Sequence, residues 1–437
     1  MAKLWEKSQG KRADLQAAVN RYIVNDLAAD NILLPFDVEA SIAHAQMLSE
    51  VGLLDTESAQ KIITQLRRIP ELHAQGKFVI RQENEDVHTE IENFLVQELG
   101  DIGKRVHAGR SRNDQVLVAM RLYVRHELQQ TKKLLLATAD AALQFASQFE
   151  FVPMPGFSHM QHAMPSSVGQ WAGAVVESLL DDCRVLDSAI ALINQNPLGS
   201  AAGFGTALPI QRERTTELLR FDRVQVNSLY CQNSRGKFDA FTIAAMLQVM
   251  LTLGKFANDL VVFTSKEFSF FKIHPELTTG SSIMPQKRNL DIMEVLRANV
   301  SMVQALQLQA QSAGMNLISG YNKDLQNGKE AVMKTFSITQ ESLRISALVL
   351  QNLEPDEQGL ARAFEDKEIF ATDFVNELVL KGAAFRDAYK QVGSNLGALS
   401  KVDPVQNIKS KTHLGATGNL ALDGYRKSIN ELNATMK

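Results

Sequence analysis

AFTIAAMLQVMLTLGKFANDLVVFTSK, residues 240–266, is the stretch whose reading decides the fold. Taken at three- and four-residue steps it gives Phe241, Ala244/Ala245, Gln248, Leu251, Lys255, Asn258 and Val262, the spacing of one helical face. Its neighbours Met246, Leu247, Val249 and Leu253 are apolar too. A helix apolar nearly all round is covered on more than one side. Working outward, proline is absent from residues 71–152, 210–274 and 286–354. Helix interiors tolerate proline poorly, so these tracts permit long helices. From Asp291 onward, Ile292, Leu296, Asn299/Val300, Val303, Leu306 and Ala310 recur at helical spacing. Residues 115–148, 167–194 and 328–352 read similarly. Five long helices, several apolar on more than one face, predict an all-α fold whose central bundle packs against copies of itself. No alternating strand set is visible, and Lys77–Arg81 is the best short strand candidate. Dividing the chain near Gly109 and Pro355 gives a helical N-terminal domain (1–108), a central long-helix bundle (109–354) and a small helical C-terminal domain (355–437).

Composition narrows the function classes. The 437 residues are 45% hydrophobic and 22% charged, the balance of an ordinary soluble protein. Forty-six basic and 49 acidic side chains leave a formal charge of −3, which is no footprint for nucleic acid or an anionic membrane. Cys183 and Cys231 are too few for a disulfide framework and have no Cys/His cluster that would suggest zinc. A reducing, cytoplasmic setting is expected. Met1–Lys7 lacks the apolar core of a signal peptide. No run of about 18 uncharged apolar residues suggests a membrane span. No cofactor and no metal are expected.

The densest chemistry is Gly280-Ser281-Ser282-Ile283-Met284-Pro285-Gln286-Lys287-Arg288-Asn289. Gly280 permits positive φ and exposes successive N–H groups, which form an anion-attracting nest. Ser281 and Ser282 add hydroxyls, Lys287 a full charge and Asn289 an amide that can orient a carboxylate. The stretch therefore faces an anion with two or more oxygens, or is a Ser/Gly surface loop ahead of a helix. Glu294 follows on the next helix. It can orient a histidine or simply be solvated.

Five other stretches carry candidates. In Glu85-Asp86-Val87-His88-Thr89, Asp86 either starts a surface helix or pins a cationic substrate group. In His107–Gln115, Arg110 and Arg112 flank Ser111, with Asn113 just beyond, at the head of a long helix. Ser111 or Asn113 can cap that helix, and a helix start flanked by arginine is an anion site. In Pro155–His162, Ser158, His159 and His162 lie in a loop without an acidic third ligand, which discounts metal; a histidine there can move protons near neutral pH or be structural. Pro197–Pro209 is glycine-rich but matches no nucleotide-binding pattern, and reads as a shaped turn lining or supporting the site. Gly320–Lys329 groups Tyr321, Gln326 and Lys329, which suit an amino-acid carboxylate or a plain connector.

The 280–289 string resembles the signature loop of the fumarase/aspartase superfamily, Gly-Ser-Ser-x-Met-Pro-x-Lys-x-Asn, at all seven fixed positions. Within it the chain resembles the argininosuccinate lyases. His107–Gln115 is similar to their Gly-Arg-Ser-Arg-Asn-Asp-Gln segment, Gly156–Gln161 to Gly-Tyr-Thr-His-Leu-Gln, and Tyr321–Gln326 to Tyr-Asn-Arg-Asp-Leu-Gln. Ala371–Phe374 and Lys381–Ala388 resemble their C-terminal domain. The resemblance spans roughly residues 3–400. Ser158 replaces the usual threonine and Leu290 the usual proline, His162 and Met164 are atypical, and Trp5 is not followed by the usual Gly-Gly-Arg-Phe.

The resemblance implies cleavage of argininosuccinate to arginine and fumarate through an aci-carboxylate carbanion, without a cofactor. It makes Ser281 the base, His159 the proton donor oriented by Glu294, and Lys287 a stabiliser of developing charge. Ser111, Arg112, Asn113, Ser158 and Asn289 bind the succinyl carboxylates. Tyr321, Gln326 and Lys329 hold the arginine end, with Asp86 and Asp30 nearby. It also implies a homotetramer whose sites draw on several subunits. Adenylosuccinate lyase, aspartase or a catalytically silent structural homologue are the alternatives.

Overall fold

The computed structural model describes Tyr22, residues 27–81 and residues 86–435. Trp5 and its neighbours, and Glu85, lie outside the described residues. Among those described, the helices of ten residues or more are α1 (Leu27–Glu50), α2 (Thr56–Ala74), α3 (Val87–Leu99), α4 (Arg112–Gln148), α5 (Val168–Ile193), α6 (Arg235–Phe263), α7 (Asp291–Ala313), α8 (Asn327–Gln351), α9 (Ala371–Leu380) and α10 (Leu422–Ala434). The five expected long helices are α4 to α8, each within a few residues of its periodic tract. The fold is all-α in character.

Three two-stranded sheets were not anticipated. β1 (Pro153–Ser158) and β2 (Gln161–Ser167) form an antiparallel hairpin. β3 (Gln195–Asn196) pairs with β4 (Arg223–Val224), and β5 (Phe271–Ile273) with β6 (Leu353–Pro355). Lys77–Arg81, in contrast, is not a strand. Its alternation is real, because Phe78 and Ile80 are buried and Val79 is exposed. However, its backbone turns back on α2, with the Phe78 N–H donating to the Leu72 carbonyl at 3.1 Å. Prolines 35 and 70 sit inside α1 and α2, where each removes one N–H from the helical ladder.

The chain gathers into two compact units, each from three segments. The first comprises residues 1–129, 188–244 and 305–336, and the second 130–187, 245–304 and 337–437. Every segment junction falls inside one of the helices α4 to α8. In the first unit α1, α2 and α3 bury Leu34, Val38, Leu48, Ile62, Leu66, Ile91 and Leu95 against one another. The second unit is organised on aromatic rings. Trp171 stacks on Phe256 at 5.8 Å and lies 5.0 Å from Phe271. α6 is the one described helix long and apolar enough to cross a bilayer, and more than half of that window is buried inside the protein.

Candidate active site

In the first unit the start of α3 anchors a network of charges. Asp86 is the N-cap, accepting from the Thr89 N–H and hydroxyl, both at 2.9 Å. Its other oxygen faces Arg112 Nε at 3.6 Å, and Arg112 Nη2 donates to the Thr89 hydroxyl at 2.7 Å. Burial alone would raise the Asp86 pKa; the charges of His88 and Arg112 and the Thr89 donors hold it below the usual value. Two residues on, buried His88 meets buried Asp37 at 2.5 Å. Burial opposes the imidazolium, but Asp37, Asp86 and Asp30 outweigh it and push the His88 pKa up to about 9. Asp30 accepts from the Val87 N–H at 3.2 Å and lies 4.0 Å from buried Lys329. Buried charges survive only when paired in this way.

Ser111 caps α4. Its hydroxyl accepts from the Asn113 N–H at 3.3 Å, while Asp114 reaches back to the Ser111 N–H at 2.9 Å, a reciprocal capping box. The second Asp114 oxygen accepts from the Gly199 and Ala201 N–H groups, both at 3.0 Å. The glycine-rich turn is thereby tied to the head of α4 as a support. Burial raises the Asp114 pKa to about 6 despite these donors. Tyr321 and Gln326 are half-buried in the connector ahead of α8, and the Arg235 guanidinium lies 5.0 Å from the Tyr321 ring centroid.

In the second unit the β1–β2 hairpin presents His159. Ser158 pairs with Gln161, leaving His159 and Met160 as a two-residue turn with φ of 53° and 60°. Positive φ at both positions suits the right-handed twist of a hairpin, yet costs a side-chain-bearing residue roughly 1–2 kcal/mol. The stretch expected as a loop is thus a strained, exposed hairpin tip. His162 packs edge-on against Phe157 at 5.2 Å and reads as structural.

The Gly280–Asn289 segment is closed at its neck by two backbone bonds between Thr279 and Asn289, at 3.0 and 2.9 Å. Inside it the Ser281 hydroxyl oxygen accepts from the N–H groups of Ile283 and Met284, at 3.3 and 3.1 Å. The donors that converge on this serine are those of residues 283 and 284, not the expected run from Gly280. Gly280 itself does not have positive φ, and a Cβ there would meet nothing within 4 Å. The Asn289 amide donates to the Gly280 carbonyl at 3.4 Å and so helps close the loop. Lys287 is exposed, and Ile283 is 82% exposed. Glu294 is exposed on the first turns of α7. Among the described residues, no hydrogen bond or ion pair joins it to His159.

The structure therefore gathers Asp86, Arg112 and Lys329 in one network, with Ser111 at its margin. Asp37, His88 and Thr89 complete that network; His88 and Thr89 lie in the stretch already quoted around Asp86, and Asp37 was not singled out from sequence. Asp37 did carry a signal, a carboxylate inside the apolar run Ile32-Leu-Leu-Pro-Phe-Asp-Val38. Ser158 and His159 occupy the hairpin tip; Ser281, Lys287 and Asn289 occupy the closed loop.

A helical body built on five long helices, with a closed Gly-Ser-Ser loop and a paired Asp/Arg helix start, defines a class. Residues 7–305 match the model of the family described as Lyase. The chain is 40% identical to an argininosuccinate lyase of Parabacteroides distasonis over 421 residues, which is 96% of this chain and 92% of the relative. It is 40% identical to an argininosuccinate lyase of Thermotoga neapolitana, covering 90% and 98%. Solved structures share the fold. An EDDS lyase in complex with formate superposes with a TM-score of 0.80 at 20% identity, covering 99% and 92% of the two chains. A class II fumarase from Schistosoma mansoni does so at 0.74 and 18%, covering 92% and 96%. The chain belongs to the argininosuccinate lyase family.

Proposed function

We propose that this chain cleaves argininosuccinate to arginine and fumarate. The observation that carries the reading is the Ser281 hydroxyl, whose oxygen receives two backbone N–H donors within a closed loop. Hydrogen bonds to the charged form favour it, so these donors stabilise an alkoxide at Ser281, assisted by Lys287. Ser281 takes the proton from the carbon next to the succinyl carboxylate. The electron pair moves onto that carboxylate as an aci-carboxylate, which fixed positive groups stabilise as charge develops. It then returns to form the carbon–carbon double bond as the carbon–nitrogen bond breaks. His159 donates a proton to the departing guanidino nitrogen.

Arg112, Ser111, Asn113, Ser158 and Asn289 bind the succinyl carboxylates. Tyr321, Gln326 and Lys329 hold the arginine end, with Asp86 at its margin. Glu294 orients His159 from another subunit of a homotetramer. The apolar exposure of the long helices supports self-association: Val295 is 58% and Leu308 65% exposed on α7, and Leu251 50% on α6. The reading keeps the division into 1–108, 109–354 and 355–437 as functional domains. It places the enzyme in the cytoplasm, where two free, buried cysteines are at ease.

Release of fumarate, followed by its ultraviolet absorbance, tests the reading. Argininosuccinate yields fumarate, and adenylosuccinate and aspartate do not. Turnover of either of the latter in place of argininosuccinate reassigns the substrate; no turnover of any makes the chain a silent homologue.

A further inference from the structure

The connector that leads into α8 does not stand alone. It is gripped at four points, by the first turns of α6 and by Asn233, two residues ahead of them. The Gly320 N–H donates to the Asn233 side-chain oxygen at 2.7 Å. The Arg235 guanidinium lies 5.0 Å from the centre of the Tyr321 ring. Gly236 and Gly314 bring two backbones together so closely that a Cβ on Gly236 would lie 3.0 Å from the Gly314 Cα. A Cβ on Gly328 would lie 2.8 Å from a carboxylate oxygen of Asp239. Gly236 and Asp239 are three residues apart on α6 and share a face, while Asn233 ends the short helix Ser228–Asn233 just ahead of it. The opposite side of the same turns is anchored: buried Arg121 covers the Phe238 ring at 3.9 Å and donates to the Ser234 hydroxyl at 3.1 Å.

We propose that this face of α6 is the positioning bed for the arginine-binding residues, and that Arg235 sets the Tyr321 ring. Asn233 fixes where the connector turns, and Asp239 fixes how close the start of α8, which carries Lys329, can approach. None of these residues touches substrate; they act through Tyr321 and Lys329. Arg235 is buried, and its planar cation holds the ring by a face contact that lysine reproduces poorly. The bed thereby determines recognition of the amino-acid product and not of the fumarate half. The inference rests on the reading that Tyr321 and Lys329 hold the arginine end.

Product inhibition separates the halves. The probes are arginine and fumarate, each measured against argininosuccinate turnover in the full-length enzyme. Arg235→Met raises the arginine inhibition constant roughly 5- to 10-fold. It leaves the fumarate constant within about twofold and raises KM more than it lowers kcat, as loss of uniform binding does. Arg235→Lys recovers only part of the loss. Asn233→Ala, at an exposed position, shifts the arginine constant in the same direction and serves if Arg235→Met fails to fold. Equal shifts in both constants, or none in either at unchanged melting temperature, overturn the bed. Tyr321→Ala is the control on the underlying reading. If it leaves the arginine constant unmoved, the assignment of Tyr321 fails. If it raises that constant while Arg235→Met and Asn233→Ala do not, only the bed fails.

Discussion

The charge network at the start of α3 and the loop around Ser281 are built on opposite plans. In the first, Asp86, His88, Asp37, Arg112 and Lys329 are mostly buried, and each is held by a named partner. In the second, Ser281 is held only by its own loop backbone, Lys287 projects into the open, and His159 caps a strained turn. The difference separates binding from chemistry. A network whose charges are already paired is rigid before substrate arrives and loses little freedom on binding. A base and a proton donor must meet the reacting atoms from a site that can close and exclude water. Substitutions in the first region should therefore register in stability, and those in the second in turnover.

The largest effect belongs to the loop. Ser281→Ala removes the base and leaves both N–H donors in place. Turnover falls roughly 10³-fold or more. Argininosuccinate still binds, as calorimetry with the variant would report, and the melting temperature is unchanged. Near-normal turnover removes Ser281 from the chemistry. Next comes His88→Leu, which leaves Asp37 buried without its partner. Stability falls by about 3–5 kcal/mol, the usual cost of breaking a buried pair, read by denaturant titration. His159→Asn is the matched contrast: turnover falls about 10²-fold or more and stability does not fall. If His88→Leu spares stability while His159→Asn lowers it, the two plans are exchanged.

A pH titration of unfolding sharpens the same contrast. The pKa of His88 is raised to about 9 from the ordinary imidazole value of 6.5. Its contribution is fully present below pH 6.5 and lost as pH rises through about 9. The span corresponds to stability on the order of 3 kcal/mol. The wild-type chain loses this between pH 6.5 and 9, and His88→Leu does not show the loss. A stability curve of the same shape for both places the proton elsewhere.

How much of this was legible follows from where the information sits. Helices α4 to α8 announce themselves because apolar spacing runs unbroken through proline-free tracts. The hairpin does not, since Pro153, Pro155 and Pro165 argue against strands, and only the partner segment shows that the register Pro153↔Ser167 and Pro155↔Pro165 forms without their N–H groups. The catalytic candidates sit in contiguous strings, so residue type alone exposes them. His88 and Asp37 are 51 positions apart, and no local pattern joins them. The donors on Ser281 belong to the backbone of Ile283 and Met284, whose side chains say nothing about hydrogen bonding. Asn233, Arg235 and Asp239 lie ahead of the apolar 240–266 stretch, around the start of α6. Partnership across distance, and partnership through the main chain, are what the linear order hides.

The smallest effect bears on why Gly280 is glycine. In the closed loop its φ is ordinary and its Cα faces open space. An added methyl therefore costs nothing in contacts, and Gly280→Ala should hold stability within about 0.5 kcal/mol or raise it slightly by restricting the unfolded chain. If turnover is unaffected as well, the loop works in the conformation seen here, and the glycine has no conformational task. If turnover drops several-fold at unchanged stability, the loop must pass through a second conformation in which residue 280 needs positive φ or a close approach that only glycine allows. Arginine and fumarate inhibition would decide between slowed closure and slowed chemistry. A loop that fails to close weakens both products together, whereas a misplaced base leaves both constants where they were.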